Sequence, residues 1–303
     1  MATTSTEITQ DFPGFFKVYK DGSIERYWNS DFSSPGLDPE TGIQSKDVVI
    51  SDKTGVKARI FLPKLHDSSR KLPLLVHYHG GGFCIGSAFS AHFKSFLSAL
   101  ASQANLITMS VEYRLAPEHP LPAAYEDSWA GLQWVANHSD GQGPEAWIND
   151  HADLSRIILA GESAGANLAH NVAVQAGLTP LPGVHITRLL IVHPYFGNEQ
   201  IDKFYKYLSP TSSGSSDDPK LNPEADPNLV KLKGDRVLVC VAERDFLKSR
   251  GDAYYETMKK CGWGGEVEYY ESKDEEHCFH FFNPKSENIA PLIKRMVDFI
   301  KHD

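Results

Sequence analysis

The stretch Arg156-Ile157-Ile158-Leu159-Ala160-Gly161-Glu162-Ser163-Ala164-Gly165 decides the fold. Its first half is nearly continuous in apolar residues, the pattern of a strand buried on both faces of a mostly parallel sheet. Its second half has the form G-x-S-x-G. It opens the Ala-rich segment Ser163 to Gly177, which is apolar nearly all round and reads as a buried helix. Strand, glycine turn and helix in that order form the setting of a nucleophile elbow, in which a serine hydroxyl stands exposed above the end of the sheet. The competing reading, a glycine-rich turn with a capping serine, has to be judged by what surrounds the motif.

Outward from this stretch, further apolar runs predict strands at Leu74 to His79, Asn105 to Glu112, Leu189 to Val192 and Val237 to Ala242, with a last one at Gly265 to Glu271. Helical periods fall between them, at Ser87 to Gln103 and Pro122 to His138, and an amphipathic helix closes the chain at Ile289 to Ile300. Lys46 to Ile50 and Val56 to Leu62 alternate in the manner of an antiparallel edge. Strand–helix alternation at this scale predicts an α/β fold, a mostly parallel sheet with helices on both faces. Two segments stand outside the alternation. Residues 1–45 read as irregular, with aromatic residues at Phe12, Phe15, Phe16 and Tyr19. Residues 196–232 include the Ser/Gly/Pro-rich run Ser209 to Pro219. Both are expected to form a small cap over the C-terminal edge of the sheet, where open α/β sheets hold their ligands.

The chain has 303 residues, enough to bury a large core without disulfide or metal staples. With 41% hydrophobic and 23% charged residues it has a globular composition. The net charge of −9 disfavours nucleic acid and anionic membrane as partners. No run is apolar enough to span a membrane. The N-terminus lacks a basic region followed by an apolar one, and the four cysteines form no C-x-x-C pair. A cytoplasmic protein with reduced thiols is the expectation; monomer and homodimer both stay open.

The surroundings favour the elbow. His79-Gly80-Gly81-Gly82-Phe83 follows the Leu74 strand, and consecutive glycines let backbone N–H groups converge on a developing oxyanion. The expected donors are Gly81 and Gly82, with Gly80 close by, and the N–H of Ala164. A metal pair at His77 and His79 lacks a partner at matching spacing, and the segment is no phosphate loop, so no metal or cofactor is expected. A serine nucleophile needs a base, and the base needs an acid to fix its tautomer, in the chain order Ser, Asp or Glu, His. Asp245 just past the Val237 strand is the preferred acid, over Glu243 and Asp252. His277, at the head of the turn after the last strand, is the preferred base over His280. Phe15, Phe16, Phe83, Tyr195 and Phe196 are candidate pocket walls.

HGGGF at 79–83, EYRLAPEHPLP at 112–122, AAYED at 123–127, GESAGAN at 161–167, HCFHFFNP at 277–284 and FKVYKDGSIE at 16–25 together resemble the plant carboxylesterases of the hormone-sensitive-lipase-like branch of the α/β hydrolases. The resemblance runs over nearly the whole chain. It implies one α/β-hydrolase domain over residues 1–303 and cofactor-free hydrolysis of a small-molecule carboxylic ester. It puts the triad on Ser163, Asp245 and His277 and the oxyanion motif on His79, Gly80, Gly81 and Gly82. The same family includes gibberellin receptors, which lack the catalytic histidine, and hydroxyisoflavanone dehydratases, associated with Thr at the nucleophile position. A lyase and a non-catalytic hormone receptor are therefore the alternatives, against which stand the intact Ser163 and His277. Between Phe196 and Leu221 the chain looks shorter than its relatives, which predicts a more open pocket on that side.

Overall fold

The computed structural model describes residues 7–65, 67 and 70–302. Three short strands come first: β1 (Ile8–Phe12), β2 (Phe16–Tyr19) and β3 (Ile24–Arg26). They are followed by β4 (Gln44–Ser51), β5 (Val56–Leu62), β6 (Leu72–Tyr78), α1 (Ala91–Ala104), β7 (Ile107–Glu112), α2 (Ala123–Ala136) and α3 (Ala146–His151). The second half runs β8 (Ala152–Glu162), α4 (Ala164–Leu178), β9 (Ile186–Val192), α5 (Lys203–Leu208), β10 (Arg236–Ala242), α6 (Lys248–Lys260), β11 (Glu266–Ser272), α7 (Phe279–Phe282) and α8 (Ile289–Lys301). No helix among the described residues is long and apolar enough to cross a membrane.

The large sheet has the order β11-β10-β9-β8-β6-β7-β5-β4. Strands β6 to β11 pair in parallel, while β5 runs antiparallel to both β7 and β4. The apolar runs are continuous because each central strand feeds two cores. Val76, Leu159, Ile191 and Val239 point into a core completed by Leu132 of α2, Leu168 and Val172 of α4 and Met258 of α6. Their neighbours Leu75, Ile158, Leu190 and Leu238 point the other way, against Leu97 of α1 and Leu292 and Met296 of α8. Period two along each strand thus appears in the sequence as no period at all.

Three expectations are corrected. Residues 1–6 lie outside the described residues, and the described part of the 1–45 segment is not irregular: β1, β2 and β3 form their own antiparallel sheet. Its strands are half-exposed and short, so only Phe16 is fully buried, and the apolar signal is faint. Asp21-Gly22 at the β2–β3 turn was the readable hairpin signal. Helix α1 starts at Ala91 rather than Ser87, because Ser87 Oγ and the Ala88 N–H are both committed to Glu112 Oε2, at 2.9 and 2.6 Å. The 196–232 segment does carry a helix, α5, N-capped by Asp202, whose carboxylate accepts from the Tyr205 N–H. Phe204 of α5 stacks on Phe15 at 4.4 Å, on that side of the cavity over Ser163.

One contact fixes the junction of sheet and helix. A Cβ on Gly165 would lie 1.9 Å from the Tyr78 carbonyl oxygen, so α4 begins in direct backbone contact with the end of β6. Gly165→Ala is expected to cost about 3 kcal/mol or more by overpacking. Gly22→Ala, in a left-handed but open turn, should cost about 1 kcal/mol. Urea unfolding of the two variants checks this, and equal losses would contradict the contact.

Candidate active site

Ser163 sits between β8 and α4 with φ 54° and ψ −121°, a conformation that L residues rarely adopt. The turn is pinned on both sides: the Ser163 N–H donates to the Val192 carbonyl at 2.9 Å, and its carbonyl accepts from the Tyr195 N–H at 3.0 Å. The side chain therefore stands over the C-terminal edge of the sheet, at the N-terminus of α4.

His277 Nε2 lies 3.0 Å from Ser163 Oγ, and its Nδ1 lies 2.8 Å from Asp245 Oδ2. Asp245 follows β10 in a turn, is buried, and accepts a second hydrogen bond on Oδ1 from the Leu247 N–H at 2.7 Å. An acceptor-only carboxylate at Nδ1 requires that nitrogen to carry a proton. A neutral ring then leaves Nε2 as the acceptor for the serine hydroxyl. The two loops are tied together: the Glu243 N–H donates to the Ser272 carbonyl and the Arg244 N–H to the Glu275 carbonyl. Glu243, the alternative acid, spends its carboxylate on the Asp274 N–H at 2.9 Å. Asp252 accepts from the Tyr269 hydroxyl. His280, the alternative base, is buried among Phe96, Phe279 and Phe281. Burial pushes its pKa down to about 3, which holds the ring neutral.

The glycine loop after β6 has positive φ at Gly81 (117°), Gly82 (58°) and Phe83 (63°). Among the described residues no hydrogen bond engages the N–H of Gly81, Gly82 or Ala164. Gly80 and His79 depart from expectation. The Gly80 N–H donates to Glu162 Oε1 at 2.8 Å and is unavailable to a ligand. The His79 side chain is fully buried, stacked on Tyr113 at 4.2 Å with Nδ1 on the Gly80 carbonyl at 2.8 Å. Burial pulls its pKa down to about 4, so this ring too is neutral. Its role is to shape the loop from behind.

Two residues missed in the sequence lie here. Glu162, the variable position of G-x-S-x-G, is 2% exposed, and its Oε2 meets His77 Nε2 at 2.9 Å. His77 Nδ1 in turn meets Ser110 Oγ at 2.8 Å. The partner that His77 seemed to lack is 85 positions away in sequence but on the neighbouring strand.

A cavity of about 460 Å³ opens above Ser163, Gly81, Gly82 and His277. Phe15 and Tyr195 line it as expected. Phe16, Phe83 and Phe196 do not. Phe16 packs against Phe12 and Tyr207, Phe83 against Tyr125 and Tyr205, and Phe196 stacks on Tyr254 at 4.6 Å. The walls instead include Trp28, Phe204, Phe246 and Phe282. Phe246 directly follows Asp245, 74% exposed, with its ring 5.1 Å from that of His277. The aromatic residues flanking the acid and base loops were the signal for these walls. A polar patch on the wall joins Tyr195 and Arg250 through Asp202 Oδ2, at 2.7 and 3.2 Å.

His193, His277 and Cys278 place ligand-type atoms within 4.8 Å of one another, the spacing of a metal site. They do not suit one. His193 Nδ1 accepts from the Cys278 N–H at 2.8 Å, both ring nitrogens of His277 are engaged, and burial pushes the Cys278 thiol well above its ordinary pKa.

A family model described as the alpha/beta hydrolase fold matches residues 75–281. A 2-hydroxyisoflavanone dehydratase of Glycyrrhiza echinata is 43% identical, over 98% of this chain and 98% of its own length. "Probable carboxylesterase 1" of Arabidopsis thaliana is 39% identical, over 98% and 99%. Among solved structures, a thermostable carboxylesterase cloned from a metagenomic library superposes with a TM-score of 0.71 at 25% identity, covering 89% of this chain and 90% of that one. The hyperthermophilic esterase of the archaeon Pyrobaculum calidifontis gives 0.69 at 26% identity, with 85% of each chain covered. The wound sheet, the strained serine turn and these full-length likenesses agree: the chain belongs to the α/β-hydrolase-fold family, in the group that holds the plant carboxylesterases and 2-hydroxyisoflavanone dehydratases.

Proposed function

We propose that the protein is a serine carboxylesterase that hydrolyses a small-molecule carboxylic ester through an acyl-enzyme. The observation that carries this reading is the chain of hydrogen bonds Ser163–His277–Asp245, at 3.0 and 2.8 Å, beside three amide N–H groups without partners among the described residues. Ser163 Oγ attacks the ester carbonyl while His277 Nε2 takes its proton. Asp245 holds Nδ1–H and stabilises the imidazolium. The oxyanion forms on the N–H groups of Gly81, Gly82 and Ala164, and each such donor is worth ~2.7–4 kcal/mol in the transition state. The tetrahedral species collapses, His277 returns the proton to the leaving alcohol, and water repeats the cycle on the acyl-enzyme. The β1–β3 sheet and α5 serve as the cap. Four free cysteines suit a reducing compartment such as the cytosol.

Elimination is the second reading, favoured by the dehydratase at 43% identity. In that reaction His277 removes a proton α to a carbonyl whose oxygen sits on the same amides, and returns it to the β-hydroxyl, which leaves as water while the carbon–carbon double bond forms. That reaction needs no nucleophile, whereas here the serine is held in a strained turn with its hydroxyl on the base.

A short-chain 4-nitrophenyl ester tests the two readings together. Turnover by the wild type, its loss in Ser163→Ala by about 10⁴-fold or more, and an organophosphate adduct on Ser163 are expected. Turnover surviving in Ser163→Ala would reject the mechanism.

The aromatic walls favour esters that carry a ring. Truncating Phe204, which lines the cavity against Phe15, removes roughly 1–2 kcal/mol of apolar contact. Phe204→Ala is therefore expected to lower kcat/KM for a phenylacetate ester about tenfold relative to an acetate ester. An unchanged ratio would place the ring elsewhere.

A further inference from the structure

We infer that Glu162 is a positioning residue: its carboxylate, seated on His77, fixes the Gly80 peptide and so aims the N–H groups of Gly81 and Gly82 at the reacting carbonyl. The inference rests on the ester-hydrolase reading above and adds a residue to it.

A carboxylate 2% exposed has to be held by hydrogen bonds, since burying it without partners costs several kcal/mol. Both partners of Glu162 lie on β6 or just past its end. Oε1 accepts from the Gly80 N–H at 2.8 Å, and Oε2 faces His77 Nε2 at 2.9 Å. Gly80 is the first glycine after β6 and His77 lies on β6 itself, which pairs with β8 in the register Tyr78↔Gly161. Glu162 is also the residue before Ser163. One side chain therefore ties the oxyanion loop to the nucleophile elbow across the two neighbouring strands.

The loop needs such a tie. Gly81 and Gly82 take up left-handed φ values of 117° and 58°, and a run of glycines has more backbone freedom than any other sequence. The Gly80 carbonyl is held by His79 Nδ1, and the Gly81 carbonyl by the N–H groups of Cys84 and Ile85. The Gly80 N–H is the donor of the run with a protein partner, and that partner is Glu162. His77 completes the arrangement. Its Nε2–H donates to the carboxylate, and its Nδ1 accepts from the Ser110 hydroxyl at 2.8 Å.

A negative charge close to a developing oxyanion opposes it. The benefit of Glu162 must then lie in reach and direction rather than in charge, which separates its variants. In Glu162→Gln the amide oxygen can still accept from Gly80, while the amide NH₂ donates to His77 Nε2. His77 then adopts the other tautomer, with Nδ1–H donating to Ser110 Oγ, a reversal that a hydroxyl permits. Glu162→Asp keeps the charge but is one methylene too short to meet both partners. Glu162→Ala loses both.

The test measures kcat and KM on a 4-nitrophenyl ester, melting temperature, and amide hydrogen exchange at residues 80–82 for the three variants and the wild type. Glu162→Ala and Glu162→Asp are expected to lose about 10–100-fold in kcat, less than the 10²–10³ of a deleted oxyanion donor. Their KM should stay within about threefold, and exchange of the Gly80 N–H, the amide of the run that Glu162 holds, should rise about tenfold or more, the mark of local opening. Glu162→Gln should keep kcat within about threefold, with ¹⁵N signals placing the His77 proton on Nδ1 instead of Nε2. Should Glu162→Ala fail to fold, the contrast between Asp and Gln decides. The inference is overturned if Glu162→Asp matches the wild type, if Glu162→Gln is as impaired as Glu162→Asp, or if exchange of the Gly80 N–H is the same in all. Hydrogen exchange reads the tie without turnover, so a wild type inactive on esters would refute the proposed reaction and still leave the tie to be judged.

Discussion

The site depends on how closely α4 approaches the end of β6. A Cβ on Gly165 would lie 1.9 Å from the Tyr78 carbonyl oxygen, and one on Gly161 would lie 2.7 Å from the same atom. Two glycines therefore bracket Ser163 because backbone occupies the space on both sides. Without that approach the turn would be wider, and the Ser163 hydroxyl would stand away from the glycine loop that leaves β6. With it, the N-terminus of α4, Ser163 and the Gly81–Gly82 loop face one cavity. The positive end of the helix faces the same cavity.

The rest of the site is strand ends meeting at one edge. β10 delivers Asp245 and β11 delivers His277, and backbone hydrogen bonds between the two loops fix the spacing of these two residues before any side chain is considered. Four histidines are used in three ways within this region. His277 bridges Asp245 and Ser163, and His77 bridges Ser110 and Glu162. His79 and His280 are buried and held neutral by desolvation. Sequence position alone would not separate these roles. Partner and burial do.

The doubly wound core was legible because strands buried on both faces leave unbroken apolar runs, and each run recurs at its expected place with ends shifted by a few residues. Ser163, Asp245 and His277 were legible because the order of strand, turn and chemistry-bearing residue constrains them strongly. The β1–β3 sheet was not, since its strands lie half in solvent and bury little beyond Phe16. The pocket walls were half legible. Phe15 and Tyr195 face the cavity, but Phe16 and Phe83 turn inward, and no periodicity tells which side of a short strand or strained turn an aromatic ring will take. Glu162 escaped for a different reason: its contacts come from pairing β8 with β6, a neighbour relation that a separation of 85 positions conceals.

The central claim is that Ser163 becomes covalently acylated during turnover. Intact-mass measurement of protein quenched in acid during reaction with a slowly deacylating ester tests it most directly, followed by mapping of the modified peptide. The account predicts a stoichiometric mass gain equal to the acyl group, located on Ser163 and decaying at the rate of turnover. Turnover without any acylated protein, or an acyl group on another residue that decays at the turnover rate, would contradict it.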